Sequence, residues 1–173
     1  MSDKATSDRM TWVRSILTEF EQPLIRYAAR MTGDVERARD VVQDVFLRLC
    51  AADPGEMNGG MPAWLYTVCR NRAVDLLRKD GRMQTTADKR IETSDTAGHE
   101  PSFALERKET ASRVGLIIDD LPANQREVLA LRFENDLSYR DIAAVTNLTV
   151  SNVGYLIHTA IRTLRERLAA AGD

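Results

Sequence analysis

Apolar residues recur at intervals of three and four along nearly the whole chain, and no segment sustains the two-residue alternation of a half-buried strand. The pattern predicts an all-α protein. Breakers divide it. A first amphipathic run extends from about Arg9 to Met31 and contains Pro23, which is expected to kink the helix or start a second one; Thr32-Gly33 ends it. Asp34 then caps a helix reaching about Cys50. The stretch ADPGEMNGG, Ala52 to Gly60, is a turn-rich loop, and Pro62 sits in the first turn of a third helix running to about Asp80.

From Gly81 to about Ser102 the chain is polar, rich in Thr and Asp, and without apolar periodicity, which reads as a flexible linker. A second helical block follows: Phe103 to Asp120, a break at Leu121-Pro122, a helix to about Glu134, and two more helices. Ser138 and Asp141 have the spacing of a capping box, with Leu137 and Ile142 placed as its staple; Thr149 caps the last helix likewise, with Leu148 and Val153. The expected fold is therefore two small helical domains, residues 9–82 and 104–170, joined by a linker over 83–103.

Each domain carries a patterned face. In Asp34 to Cys50 the core stripe is Ala38, Val41, Val42, Val45, Phe46 and Leu49; the far side holds Glu36, Asp40, Gln43 and Leu47, with Asp44 at its edge. An outward leucine among carboxylates and an amide suits a protein-docking surface, although single exposed leucines are also ordinary. In the third helix the expected core stripe is Leu65, Val68, Cys69 and Leu76. A separate stripe carries Trp64, Asn71, Asp75 and Arg78, and Arg70, Arg72, Lys79 and Arg82 make the segment locally basic. Aromatic, amide and guanidinium groups together suit single-stranded nucleic acid, where bases stack and cations meet phosphate; the bland alternative is a solvated basic helix with Trp64 in the core.

The last two helices, joined at Asn147-Leu148-Thr149, have the outline of a helix-turn-helix. On the final helix Val150, Val153, Ile157, Ala160, Ile161, Leu164 and Leu168 share one face. The opposite face presents Ser151, Tyr155, His158, Thr159, Arg162 and Glu166, with Asn152 at its flank. Such a face near a helix N-terminus reaches base edges in a major groove, yet its first three turns contain no Lys or Arg.

Composition narrows the function classes. With 43% hydrophobic and 29% charged residues and a net charge of −2, the 173-residue chain is globular and shows no global nucleic-acid signature, so any DNA-binding surface is local. Cys50 and Cys69 lie in apolar helical patterns and are expected in the core; with two histidines they make no plausible zinc site or disulfide framework. No metal or cofactor is expected. The polar N-terminus has no signal-peptide core, and no apolar run approaches the roughly 18 residues of a membrane span, so a cytoplasmic protein without membrane insertion is expected. No Gly-rich phosphate loop or nucleophile elbow points to an enzyme.

Taken together, these residues resemble a bacterial RNA polymerase sigma factor of the extracytoplasmic-function (ECF) type, over about Leu17 to Arg82 and Ala111 to Leu168. The first block carries a Gly-Asp turn followed by Ala38-x-Asp40-x-x-Gln43-Asp44-Val45-Phe46, then Ala63-Trp64-Leu65 with Asn71, Asp75 and Arg78; the second carries Leu121-Pro122, Gln125-Arg126-Glu127-Val128, Leu131, Leu137-Ser138 and Asp141-Ile142-Ala143. The resemblance implies a transcription initiation factor that joins core RNA polymerase and directs it to promoters.

It implies that Asp40, Gln43, Asp44, Phe46 and Leu47 dock on the clamp helices of the largest polymerase subunit. The Asn58 to Arg82 segment, with Trp64, Arg70, Asn71, Arg72, Asp75, Arg78 and Lys79, would capture the opened −10 element, a base being held out of the stack by the preceding loop. Ser151, Asn152, Tyr155, His158, Thr159, Arg162 and Arg165 would read the −35 element. An anti-sigma protein is a further implied partner. One departure from the family stands in the final helix, where Gly154 and Leu156 occupy positions that are typically basic, and Thr159 a third. The rival readings are a conventional helix-turn-helix regulator and a sigma-like decoy that binds only an anti-sigma protein.

Overall fold

A computed structural model of the chain describes residues 2–53, 55, 57, 60–81 and 113–170, with side chains from residue 7 onward. Asn58, Arg82, the expected linker and most of the expected Phe103 to Asp120 helix lie outside the described residues. All regular structure among the described residues is helical: α1 (Ser2–Thr32), α2 (Val35–Ala51), α3 (Met61–Lys79), α4 (113–119), α5 (Ala123–Leu129) extended by a π-helical turn (Ala130–Glu134), α6 (Tyr139–Thr146) and α7 (Val150–Ala170). The chain divides into two compact units.

In the N-terminal unit α1, α2 and α3 pack against one another in all three pairings. Leu24, Tyr27 and Ala28 of α1, Val41, Val45 and Leu49 of α2, and Leu65, Tyr66 and Cys69 of α3 are buried. Tyr27 and Tyr66 meet edge to face, ring centroids 5.2 Å apart at 83°, the arrangement that aromatic quadrupoles favour. The chain reverses between α1 and α2 at Gly33, whose φ of 72° suits a residue without Cβ. Asp34 Oδ1 then accepts from the backbone N–H of Glu36 at 2.8 Å and of Arg37 at 3.2 Å, the expected cap.

Pro23 neither ends α1 nor starts a new helix. It lies inside one continuous helix that begins at Ser2, ahead of the expected Arg9. The proline removes one backbone donor, but the residues that follow it, Leu24, Tyr27 and Ala28, are buried, so packing outweighs the lost bond. Two side-chain placements also differ from expectation. The buried face of α3 is centred on Leu65, Tyr66, Cys69, Ala73 and Leu77, while Val68 and Leu76 are only half buried. Cys50 is exposed, whereas Cys69 is fully buried.

In the C-terminal unit Leu121, Leu129 and Ala160 form a core against which Ile161 and Leu164 pack, joining α5 to α7. The π-helical turn is closed by side chains: Asn135 Nδ2 donates to the Ala130 carbonyl at 2.9 Å and Arg132 Nη1 to the Leu137 carbonyl at 3.1 Å. The capping box forms, with Ser138 N–H donating to Asp141 Oδ2 at 3.2 Å and Asp141 N–H to Ser138 Oγ at 3.1 Å. Asn147, at φ 58°, ends α6, and Thr149 Oγ1 accepts from Asn152 N–H at 3.1 Å to start α7. This is the expected helix-turn-helix connection. On α7 the buried set is Val153, Leu156, Ile157 and Ala160; Val150, expected in the core, is 48% exposed.

Candidate functional site

Three helix faces hold the residues singled out from the sequence. On α2, Asp40 and Gln43 are exposed and Leu47 is 62% exposed, so the expected apolar point among polar groups is present on the surface. Phe46 is not part of that outer face. It is buried, at 7% exposure, because the same turn that lifts Leu47 outward turns Phe46 toward α1. Its ring belongs to the floor of a groove of about 530 Å³ between α1 and α2, lined also by Val13, Leu17, Ile25 and Val42.

On α3, Asn71, Asp75, Arg78 and Lys79 are exposed, and Trp64, Arg70 and Arg72 are half buried. Trp64 is thus neither in the core nor free of it. Arg78 and Lys79 occupy the last turn of α3, where cations oppose the negative end of the helix dipole. Between α2 and α3 runs a cleft of about 660 Å³ lined by Asp44, Leu47, Arg48, Arg72, Asp75, Arg78 and Lys79. Arg48 was missed from the sequence, although its position one turn beyond Asp44 places it on the same side of α2.

The cleft brings together two residues expected on different surfaces. Arg72 Nε donates to the Asp44 carboxylate across the α2–α3 contact. A second ion pair, Arg37 to Asp80, joins the same helices with the polarity reversed. Arg9 adds a third tie, donating from α1 to the carbonyls of Cys50 and Ala52 at the end of α2.

On α7, Ser151, Asn152, Tyr155, His158, Arg162 and Arg165 are exposed and Thr159 is half buried. Tyr155 is 66% exposed. Arg162 lies 4.0 Å from Glu166, an exposed pair one turn apart that leaves the guanidinium accessible to a phosphate. The three departures from the basic pattern have separate structural correlates. Leu156 is buried and takes part in the core; Gly154 faces the Tyr139 ring, to which an added Cβ would be in ordinary contact at 3.6 Å; Thr159 is partly covered.

Among the described residues no group of three or more His, Cys, Asp or Glu side chains is placed to hold a metal ion. No helix among them is long and apolar enough to cross a membrane.

Comparison with known proteins accounts for both units. Residues 16–83 match the family Sigma-70 region 2, and residues 111–164 match Sigma-70, region 4. The chain is 30% identical to the ECF RNA polymerase sigma factor SigD of Mycobacterium tuberculosis, covering 93% of this chain and 79% of that protein. It is also 30% identical to the ECF RNA polymerase sigma factor RpoE of Cereibacter sphaeroides, covering 98% and 100%. Among solved structures, the sigma factor RpoE in complex with the anti-sigma factor NepR, from Bartonella quintana, shares the fold with a TM-score of 0.65 at 24% identity, over 90% of this chain and 96% of that one. CnrH in complex with the cytosolic domain of CnrY does so with a TM-score of 0.58 at 24% identity, over 97% and 94%. The chain belongs to the sigma-70 family, as an ECF RNA polymerase sigma factor, a transcription initiation factor that directs polymerase to promoters.

Proposed function

We propose that the chain divides initiation among its three exposed faces, with residues 9–82 engaging polymerase and the −10 element, 83–103 linking, and 104–170 reading the −35 element. Asp40, Gln43, Asp44 and Leu47 of α2 dock on the clamp helices of the largest polymerase subunit, Leu47 as the apolar anchor and the others as its polar rim. Phe46 supports that face from beneath. The α3 face, with Trp64, Arg70, Asn71, Asp75, Arg78 and Lys79, meets the opened −10 strand, its cations on phosphates and its aromatic and amide groups on bases. Ser151, Asn152, Tyr155, His158 and Thr159 meet −35 base edges in the major groove, while Arg162 and Arg165 meet phosphates. The factor acts in the cytoplasm, on polymerase and chromosomal DNA.

The observation that most supports this reading is the exposed Leu47 flanked by Asp40 and Gln43, because a large apolar side chain held outward on an otherwise well-packed helix suits a partner. Transcription with purified core polymerase on a randomised promoter library tests it. Promoter-specific initiation that depends on the factor supports the reading, and its absence on every template overturns it.

An anti-sigma protein fits the same unit. Both solved relatives described above are complexes, one with an anti-sigma factor by name, and the apolar groove between α1 and α2 here borders the Leu47 face. A protein seated in that groove would exclude polymerase. Co-purification of such a protein in competition with core polymerase tests this, and simultaneous binding of both counts against it.

A further inference from the structure

The outward side of α2 divides two concavities. The apolar groove toward α1 and the cleft toward α3 share Leu47 as a lining residue, so this side chain forms the ridge between them. Their chemistry differs. The groove is walled by Val13, Leu17, Ile25, Val42 and Phe46, with one cation, Arg39, and one carboxylate, Glu21. The cleft sets Arg48, Arg72, Arg78 and Lys79 against Asp44 and Asp75. Asp44 and Arg72 satisfy each other, which leaves Arg48, Arg78 and Lys79 with the one carboxylate of Asp75.

Arg48 belongs to the cleft by its position on the helix. It follows Leu47 by one residue, a rotation of about 100° that carries it to the α3 side, and it lies one turn beyond Asp44. The side chain is exposed and holds no ion pair among the described residues. Its place in the last turn of α2 suits the helix dipole. Arg9 already serves that end, however, by bonding the carbonyls of Cys50 and Ala52. A guanidinium beside two further unpaired cations is electrostatically unfavourable in the free protein, and an anion in the cleft relieves all three.

We propose that Arg48 is a DNA-contacting residue carried on the polymerase-docking helix. Its guanidinium binds a phosphate of the opened −10 strand together with Arg78 and Lys79, so the strand crosses the cleft from α3 to the edge of α2. This inference rests on the reading that α3 meets the opened strand. A nucleic-acid backbone fits the cleft because cations stand on both of its walls and successive phosphates can meet them in turn. A protein partner of the kind proposed for the groove would find Leu47 as the apolar surface there.

The test uses holoenzyme assembled from the full chain and core polymerase, on a promoter recovered from the randomised library with its −10 region held open by mismatches. Arg48→Gln should weaken binding about two- to fivefold and reduce the magnitude of the salt slope by about 0.7, the increment for one phosphate on a single strand. Arg48→Lys, which keeps the charge, should restore most of the slope. Arg26→Gln, an equal loss of charge on the exposed surface of α1, should leave it unchanged. Affinity of Arg48→Gln for core polymerase, measured without DNA, should match that of the parent.

An unchanged slope in Arg48→Gln overturns the proposal whatever its melting temperature, since a cation serving only the helix dipole alters stability alone. A fall in core affinity that accounts for the whole loss also overturns it and assigns Arg48 to the protein interface. So does an equal effect of Arg26→Gln, the mark of a general charge effect. Failure of the underlying functional reading looks different, since no promoter would then emerge from the library with the unsubstituted factor.

Discussion

Arg9 donates from Nη2 to the backbone carbonyl of Ala52 at 2.5 Å, with the Cys50 carbonyl 3.0 Å from the same nitrogen. The last carbonyls of a helix lack intrahelical donors and mark the negative end of its dipole, so a guanidinium there satisfies both hydrogen bonding and charge. Arg9 lies ahead of the residues that match the family, which begin at 16. The N-terminal turns of α1 thus clamp the end of α2. Arg9→Ala should lower stability by about 1 kcal/mol, the scale of a charge-assisted bond that is partly exposed. Urea unfolding measures it, and an unchanged midpoint would show that the clamp contributes nothing.

Leu47 and Phe46 are adjacent in sequence and opposite in placement, which separates docking from folding. Phe46→Ala should destabilise the N-terminal unit by about 3–5 kcal/mol, as expected for an aromatic ring removed from a core. Leu47→Ala should change stability by no more than about 0.5 kcal/mol and weaken core polymerase binding about tenfold or more if it is an anchor. Thermal melts and polymerase pull-down on the two variants decide the matter; unchanged affinity in Leu47→Ala would remove it from the interface.

How far the sequence reveals such placements depends on the range of the interaction. The Asp34, Ser138 and Thr149 caps were legible because each bond spans two or three residues. The fold class and both units followed from periodicity and breakers for the same reason. The buried face of α3 was not. Its apolar residues cover more than one side of the helix, and it is Tyr27 of α1, packed against Tyr66, that fixes which side turns inward. Cys50, in the last turn of α2, is exposed despite its apolar neighbours. The Asp44 to Arg72 and Arg9 to Ala52 contacts join residues 28 and 43 positions apart, and no local pattern announces them.

On α7, Asn152→Ala and Tyr155→Ala should change which −35 sequences the factor prefers, since amide and phenol groups distinguish base edges. Arg162→Ala should weaken all promoters alike and reduce the magnitude of the salt slope by about 1. Binding across a library of −35 variants separates the two behaviours. Equal losses on every variant for Asn152→Ala and Tyr155→Ala would assign those residues no part in reading sequence.

Burial pushes the Cys69 thiol from its ordinary 9.0 up to about 12. Between those values the unfolded chain has released the proton while the folded chain keeps it. The contribution is therefore intact below about pH 9 and declines as pH rises, by about 1.4 kcal/mol per pH unit. Cys69→Ala should remove that increment from the alkaline slope of stability, measured against the parent protein. In the native state a thiol reagent should label exposed Cys50 and spare Cys69; equal labelling of both would contradict the packing of α3.

Gly154 occupies a regular helical position whose added Cβ would make only ordinary contact with the Tyr139 ring, at 3.6 Å. Replacing a mid-helix glycine by alanine usually gains about 0.5–1 kcal/mol. A Cβ can therefore be added there without a folding penalty, within the first turns of the helix proposed to meet the −35 element. On the proposed reading of this helix, position 154 is a place where one small substitution alters the face offered to the −35 element while the fold stays as it is.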